Sequence, residues 1–331
     1  MTIGDNRKCV RPVAIAWLVL PLLFLANHTV AEPAEGMCAG KPAVSPGDYT
    51  YELESGGYTR NYRVHVPPGY STNTPAPVVM VFHGGWGTGK YIQKQSKMNA
   101  VSDQHGFIGV FPDGKYRAWN AGGCCEKPMR KGIDDVGFVR DMINKLEQDY
   151  CVDSRRIYAT GFSNGAMLSH RLACELSDKI AAVAPVSGVI MVKDCKPQRP
   201  MAIMEFHGTD DPRSLWEGGL GAKDPSKGVR DSIPVTLNKL TTRYHCSSEA
   251  QNTFKKGSVS CDTYGGCDGG EVSFCTIGGG GHQWPGGEGV WEGKLGPVNR
   301  DISASEMMWE FFSKHPMADT ERQPEKQAAQ Q

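Results

Sequence analysis

The chain has 331 residues, 36 basic and 36 acidic, which leaves a formal net charge of zero at neutral pH. A balanced chain offers no electrostatic footprint for a polyanion, so nucleic acid is not an expected partner. Lys8 and Arg11 precede the apolar run from Val13 to Ala26, and Asn27 to Ala31 close it with a small-residue exit. That is the pattern of a cleaved export signal, and the run falls short of the roughly 20 apolar residues that a membrane-spanning helix needs. We therefore expect residues 1–31 to be a signal peptide. The mature chain is expected to be secreted or periplasmic, free of the membrane, and monomeric.

The first strong strand is Pro77 to Phe82, which runs into His83-Gly84-Gly85. Glycines at a strand's exit let the backbone turn an N–H outward, and Gly85 is the candidate for one oxyanion donor. A second strand lies near Ile108. Trp119 follows, in Trp119-Asn120-Ala-Gly-Gly-Cys-Cys125, and Asp134 and Asp135 open a helix that runs to Tyr150, where acidic residues suit the N-terminal dipole. Between Ile157 and Leu168 an apolar β-rich run breaks at Gly161-Phe162-Ser163-Asn164-Gly165 and continues as a helix-forming segment. A Gly-x-Ser-x-Gly turn between strand and helix is a nucleophile elbow: the turn is so tight that only glycine fits two residues either side of the serine. Ser163 is thus the candidate nucleophile, and the Asn164 amide at the helix start is the candidate for the other oxyanion donor.

A serine needs a base, and the base needs an orienting acid. After a strand near Val183, the apolar segment Met201 to Phe206 ends in His207-Gly-Thr-Asp210-Asp211, and spacing alone leaves Asp210 and Asp211 as equal candidates. The strand Val272 to Ile277 runs into a glycine-rich loop holding His282 and Trp284. Ser, Asp and His then follow in the chain order of the α/β-hydrolases. His83 and His207, both at strand ends, read as braces for loops. Trp119 and Trp284 either line a substrate pocket or only pack the loops around it. Leu215 to Val229 and Cys246 to Glu271 show little periodicity and read as disulfide-tied loops. Ser303-Ala-Ser-Glu306 is a capping box for a last helix whose buried stripe is Met307, Met308, Phe311 and Phe312, and residues 317–331 read as a disordered tail.

Strands near Val78, Ile108, Tyr158, Val183, Ile203 and Phe274 alternate with helices near Ser96, Val139, Leu168, Leu237 and Met308. This alternation predicts an α/β fold, a mostly parallel sheet with helices on both faces, over residues 32–316. Of the eleven cysteines, Cys9 lies in the signal; the ten from Cys38 to Cys275 are an even number in an exported chain, which argues disulfides. They are scattered, without Cys-x-x-Cys pairs, so no metal is expected, and no cofactor. Adjacent Cys124 and Cys125 are expected not to bond to each other, because a bridge between neighbours strains the peptide between them.

The constellation resembles the secreted α/β-hydrolase esterases grouped around feruloyl esterases and polyhydroxybutyrate depolymerase-like proteins, from about Cys38 to about Pro316. The residues that carry the resemblance are Arg60 to Tyr70, His83-Gly84-Gly85, Trp119 to Cys125, Asp134 to Phe138, the elbow with Leu172 to Glu175, His207 to Asp211, and Gly281-His282-Gln-Trp284-Pro285-Gly-Gly287. In that family the turn is usually His-Gly-Thr-x-Asp, which implies Asp211 as the orienting carboxylate. Where the family commonly continues with a Val-Pro-Tyr-like stretch, this chain has Pro212 to Glu217.

The resemblance implies a serine esterase acting on feruloyl-type or related soluble esters, with poly(3-hydroxybutyrate) or its oligomers and acetyl xylan as alternatives. The stretch after His282 holds one loop, one helix and the tail, which favours small or oligomeric esters over a solid polyester. Two further classes share the pattern, a polysaccharide-binding protein on an inactive hydrolase fold and a peptidase on the same scaffold.

Overall fold

The computed structural model describes residues 1–2, 38–220 and 229–318. The chain divides into two units, Met1–Ala34 and Glu35–Gln331, and everything below concerns the second. The expected signal peptide, apart from its first two residues, and the tail beyond residue 318 lie outside the described residues. At the tail's expected start the core reaches one residue further: Met317 is buried and its amide donates to the Arg155 carbonyl.

The sheet contains, in chain order, β1 (Gly47–Ser55), β2 (Tyr58–Val66), β3 (Ala76–Phe82), β4 (Ile108–Pro112), β5 (Val152–Phe162), β6 (Ala182–Val186), β7 (Ala202–Gly208), β8 (Ala250–Lys256), β9 (Val259–Tyr264) and β10 (Val272–Ile277). Their spatial order is β1-β2-β4-β3-β5-β6-β7-β10-β9-β8. The centre, from β4 to β10, is parallel, and each edge is an antiparallel pair of added strands.

Every strand singled out in the sequence belongs to the parallel centre. Its strands are continuous apolar runs because both faces are covered. The edge pairs are less legible. In β1 burial alternates residue by residue, and Gly56 and Gly57, both at positive φ, form the turn to β2. The segment Cys246 to Glu271, expected as loop, instead contains the β8–β9 hairpin, turned at Gly257-Ser258 with Gly257 at φ 55°. β8 is exposed along most of its length and carries lysines at its end, as a solvent-facing edge strand should. Its polarity hid it from a search for apolar runs.

Helices cover both faces. On one side α4 (Asp135–Asp149), α5 (Asn164–Glu175) and α6 (Ile233–Arg243) pack against Val78, Met80, Phe82, Ala159, Val183 and Ile203. On the other, α1 (Gly89–Ser96), α2 (Met98–His105) and α8 (Ala304–Ser313) pack against Val79, Val81, Tyr158, Ala184 and Phe206. The alternation of strand side chains between faces sorts the two cores. The short helices α3 (Glu126–Arg130) and α7 (Glu292–Leu295) lie in loops. At α8 the Ser303 hydroxyl accepts from the Glu306 amide, and Met308, Phe311 and Phe312 are buried as the capping box and stripe imply, whereas Met307 is only partly buried.

Asp134 caps α4 by accepting from the Gly137 amide, but Asp135 does more than suit the dipole. Its carboxylate is buried, ion-paired to Arg60 at 2.7 Å, and accepts from the Asn120 amide, while the Arg60 guanidinium lies 3.9 Å over the Phe138 ring. Burial pushes the Asp135 carboxyl above its ordinary value, outweighing the attraction of Arg60 and the Asn120 hydrogen bond. Arg60→Ala is therefore expected to cost about 3–5 kcal/mol at pH 8 in urea unfolding, because it strands a buried charge. With Arg60 gone the folded-state pKa rises further above the unfolded one. Stability then falls as pH climbs between the two, so the deficit should be smaller at pH 5 than at pH 8.

All ten cysteines from Cys38 onward are paired: Cys38–Cys151, Cys124–Cys125, Cys174–Cys195, Cys246–Cys267 and Cys261–Cys275. The last joins residues directly opposite each other on β9 and β10. The expectation for Cys124 and Cys125 is corrected, since the two neighbours bond to each other. The peptide between them is cis.

Candidate active site

The register of the sheet brings the loops of the site together. Phe82 pairs with Gly161, Phe162 with Val186, Val186 with Phe206, and Gly208 with Ile277, so the carboxyl ends of β3, β5, β6, β7 and β10 line up along one edge. Ser163, Asp211, His282 and Gly85 all leave the sheet there, as ligand-handling groups do in open α/β sheets.

Ser163 sits at φ 54° and ψ −114°, a strained conformation for a residue with a side chain. Its amide donates to the Val186 carbonyl, its carbonyl accepts from Met167, and α5 begins at once behind it. The flanking glycines are required by contact: a Cβ on Gly161 would lie 2.5 Å from the Gly165 carbonyl carbon, and one on Gly165 would collide with the Phe82 carbonyl. The β3 loop meets the elbow directly, since a Cβ on Gly84 would stand 3.3 Å from that of Ser163. Gly85 is the next residue in that turn, which closes with the Gly87 amide donating to the Gly84 carbonyl.

His282 and Asp211 meet as a pair. The His282 Nδ1–H donates to Asp211 Oδ2 at 2.7 Å, and both side chains are buried. Asp211 Oδ1 accepts from the amides of Arg213 and Ser214 at 2.7 and 2.8 Å. Burial pushes the Asp211 carboxyl up, but the charge and hydrogen bond of His282, helped by His207 and the Ser214 amide, outweigh it and hold the group below its ordinary value. Asp210, the other candidate by spacing, is exposed and accepts from the Thr209 hydroxyl instead. The His282 ring packs 4.8 Å from the ring of Phe162, the residue before Ser163. With Nδ1 engaged by Asp211, Nε2 is the nitrogen left for proton transfer.

The other two histidines brace loops, as their positions suggested. His83 donates from Nδ1 to the Gly84 carbonyl and accepts at Nε2 from the Gly114 amide, tying the β3 loop to the β4 loop. Burial lowers its pKa to about 4, so it stays neutral. His207 donates from Nε2 to the Ser214 carbonyl, shaping the turn that presents Asp211.

Trp119 and Trp284 are both fully buried. Their indole N–H groups are committed inside the protein, Trp119 to the His83 carbonyl and Trp284 to the Ser305 hydroxyl, so both serve to pack the loops. Sequence reasoning gave Asn164 only its backbone amide. Its side chain also clamps Trp119, Oδ1 accepting from the Trp119 amide and Nδ2 donating to its carbonyl. A polar residue forced to be buried beside Ser163 must find such partners, and that was the available signal. A cleft of about 590 Å³ lies between residues 190–193 and α6, and its lining contains neither Ser163 nor His282.

Known proteins resemble this chain in sequence and in fold. Feruloyl esterase B of Piromyces equi is 34% identical over 252 residues, 70% of this chain and 44% of that protein, so the chain spans less than half of that relative's length. Feruloyl esterase D of Neurospora crassa is 26% identical over 312 residues, 90% of this chain and 96% of that one. Among solved structures, an acetyl xylan esterase from Aspergillus awamori superposes with a TM-score of 0.58 at 15% identity, covering 80% of this chain and 99% of its own, which is agreement in the α/β-hydrolase fold. The family description "Esterase PHB depolymerase" matches residues 60–226, about half the chain, from the buried Arg60 through the elbow to the Asp211 turn, and the chain belongs to that family.

Proposed function

We propose that this chain is a serine esterase that hydrolyses carboxylic esters through an acyl-enzyme. Ser163 Oγ attacks the ester carbonyl as His282 Nε2 takes its proton, and Asp211 holds the imidazole in the Nδ1–H tautomer and stabilises the imidazolium. The amides of Gly85 and Asn164, the latter at the positive end of α5, receive the oxyanion. His282 then gives its proton to the leaving alkoxide. A water molecule deprotonated by the same nitrogen releases the acid. The observation that carries this reading is the buried 2.7 Å bond between His282 and Asp211 beside the strained elbow. No step in it calls for a metal or cofactor.

The relatives' names favour aromatic or acetyl esters of plant polysaccharide as substrates, and the family description keeps hydroxybutyrate oligomers as the second reading. The export-signal pattern at residues 1–31 and the pairing of the ten cysteines from Cys38 onward support an exported catalytic domain over residues 32–316, which we take to act as a monomer. The test is a panel of methyl ferulate, acetylated xylan, hydroxybutyrate trimer and amorphous polyester film, scored by kcat/KM. Methyl ferulate is expected to lead. Film erosion with negligible ferulate release would overturn that ordering, and cleavage of peptide amides at comparable rates would favour a peptidase.

A further inference from the structure

The two amides assigned to the oxyanion leave neighbouring strands, but the register of those strands does not reach them. Gly85 and Asn164 each stand three residues past Phe82 and Gly161, the last residues that β3 and β5 pair with each other. An oxyanion donor helps only when its N–H already points to where charge will develop, so the separation of the two amides needs a brace. Trp119, in the loop after β4, touches both donor loops.

Toward Asn164 the link is double. The Trp119 amide donates to Asn164 Oδ1 at 2.7 Å, and Asn164 Nδ2 donates to the Trp119 carbonyl at 3.0 Å. Two bonds from one side chain to the main chain of one residue fix the rotamer of Asn164. Toward the β3 loop, the indole N–H donates to the His83 carbonyl at 2.9 Å, and the two rings lie 4.9 Å apart. His83 is two residues before Gly85. A tryptophan that only packs needs a single partner for its indole N–H. Trp119 instead commits its amide, its carbonyl and its ring to the donor loops. All three residues are buried, so water does not replace a bond lost among them.

The loop that bears Trp119 is held in turn. The Trp119 carbonyl also accepts from the Cys125 amide at 3.2 Å, and the Ala121 amide donates to the Cys124 carbonyl, so residues 119–125 fold back on their own start. The Asn120 amide donates to Asp135 Oδ2 at 2.7 Å and the Gly123 amide to the Met191 carbonyl at 2.9 Å, which anchors the loop to α4 and to the segment after β6. The Cys124–Cys125 bridge closes its end, and Cys125 Sγ lies 3.8 Å from Sδ of Met167, whose amide donates to the Ser163 carbonyl.

We propose that Trp119 is a positioning residue that sets the separation of the Gly85 and Asn164 amides, with the closed 119–125 loop holding its carbonyl in place. This deepens, and rests on, the esterase reading, in which those amides receive the oxyanion. The test compares the mature parent chain with three variants. Trp119→Phe keeps an aromatic ring and removes the indole N–H, Asn164→Ala keeps the donor amide and removes the side-chain bonds, and Cys124→Ala/Cys125→Ala opens the loop. The readouts are kcat and KM for p-nitrophenyl acetate, and inhibition by benzyl trifluoromethyl ketone. Ser163 Oγ adds to the ketone carbon as its proton passes to His282, and the carbonyl electron pair moves to the oxygen, leaving an anionic hemiketal oxygen at the two amides. Trp119→Phe and Asn164→Ala are each expected to lower kcat about thirtyfold with KM changed less than about twofold, short of the hundredfold or more that follows outright loss of a donor. Ketone affinity should fall by a similar factor, because the ketone reports binding of the transition state. The cysteine variant should shift both in the same direction by about fivefold. A brace broken at one end is already broken, so Trp119→Phe combined with Asn164→Ala should cost about as much as the worse single change, not the product of the two.

A lowered thermal midpoint with unchanged kcat would make Trp119 a packing residue, a raised KM at unchanged kcat would put it in the substrate site, and multiplied losses in the combined variant would separate its two ends. Each of these overturns the brace. If Trp119→Phe does not fold, the Asn164 and cysteine variants carry the same decision through kcat and ketone affinity. A parent that turns over no ester sinks the esterase reading and the brace with it, whereas an active parent with any of the contrary results sinks the brace alone.

Discussion

Replacing Ser163 by alanine is expected to lower ester turnover by about a millionfold, since nucleophile and base act as a unit and loss of either removes the acyl-enzyme route. The fold should survive. The Ser163 amide bond to Val186, its carbonyl bond from Met167 and the contacts of Gly161 and Gly165 belong to the backbone, and alanine strains the φ 54° position no more than serine does. The thermal midpoint and the near-ultraviolet spectrum should therefore match the parent. A serine-directed organophosphonate should label Ser163 in the parent, in a peptide identified by mass, and leave the variant unlabelled. His282→Ala should lose activity on a similar scale. Retention of even a tenth of the turnover by Ser163→Ala would show that the chemistry runs elsewhere.

What could be read in the chain and what could not separate along a physical line. The parallel centre was legible because strands buried on both faces are unbroken apolar runs, and the site was legible because the elbow's steric demand leaves glycines in fixed places. β1, β2, β8 and β9 were missed because strands of the antiparallel edges, partly in water, write a weaker, alternating pattern, and β8 carries polar residues for almost its whole length. The choice between Asp210 and Asp211 was undecidable from spacing, since both follow the same strand. It turns on which carboxylate faces inward, and the amides of Arg213 and Ser214 settle the orientation of Asp211. The Arg60–Asp135 pair, 75 residues apart in the chain, and the grip of Asn164 on Trp119, 45 residues back, are tertiary facts with no local pattern. The Cys124–Cys125 bridge was not legible, because the strain that a bridge between neighbours puts on the peptide between them argues against it.

Asp211→Asn is expected to cost about ten-thousandfold in kcat, the scale seen when a triad imidazole is held in the wrong tautomer. The reason lies in how the carboxylate spends its two oxygens. Oδ1 takes two backbone amides, from Arg213 and Ser214, while Oδ2 takes the His282 Nδ1–H. An asparagine has one acceptor oxygen and one NH₂. If the oxygen faced His282, the NH₂ would confront two backbone donors in a buried site, so the oxygen should stay with the amides and the NH₂ should point at His282. Nδ1 must then accept, the proton moves to Nε2, and the nitrogen meant to deprotonate Ser163 is already protonated. Asp210→Asn, on an exposed side chain, should cost less than about tenfold. Stability supplies a separate check. A carboxyl held below its ordinary pKa contributes stability above its unfolded pKa, and that contribution is lost as pH falls through the depressed folded value. The stability gap between parent and Asp211→Asn should therefore be widest near neutral pH and close as pH drops below about 4. A larger activity loss at Asp210 than at Asp211 would move the orienting role to the exposed carboxylate, and a gap that does not narrow in acid would mean that the His282 pairing does not depress Asp211.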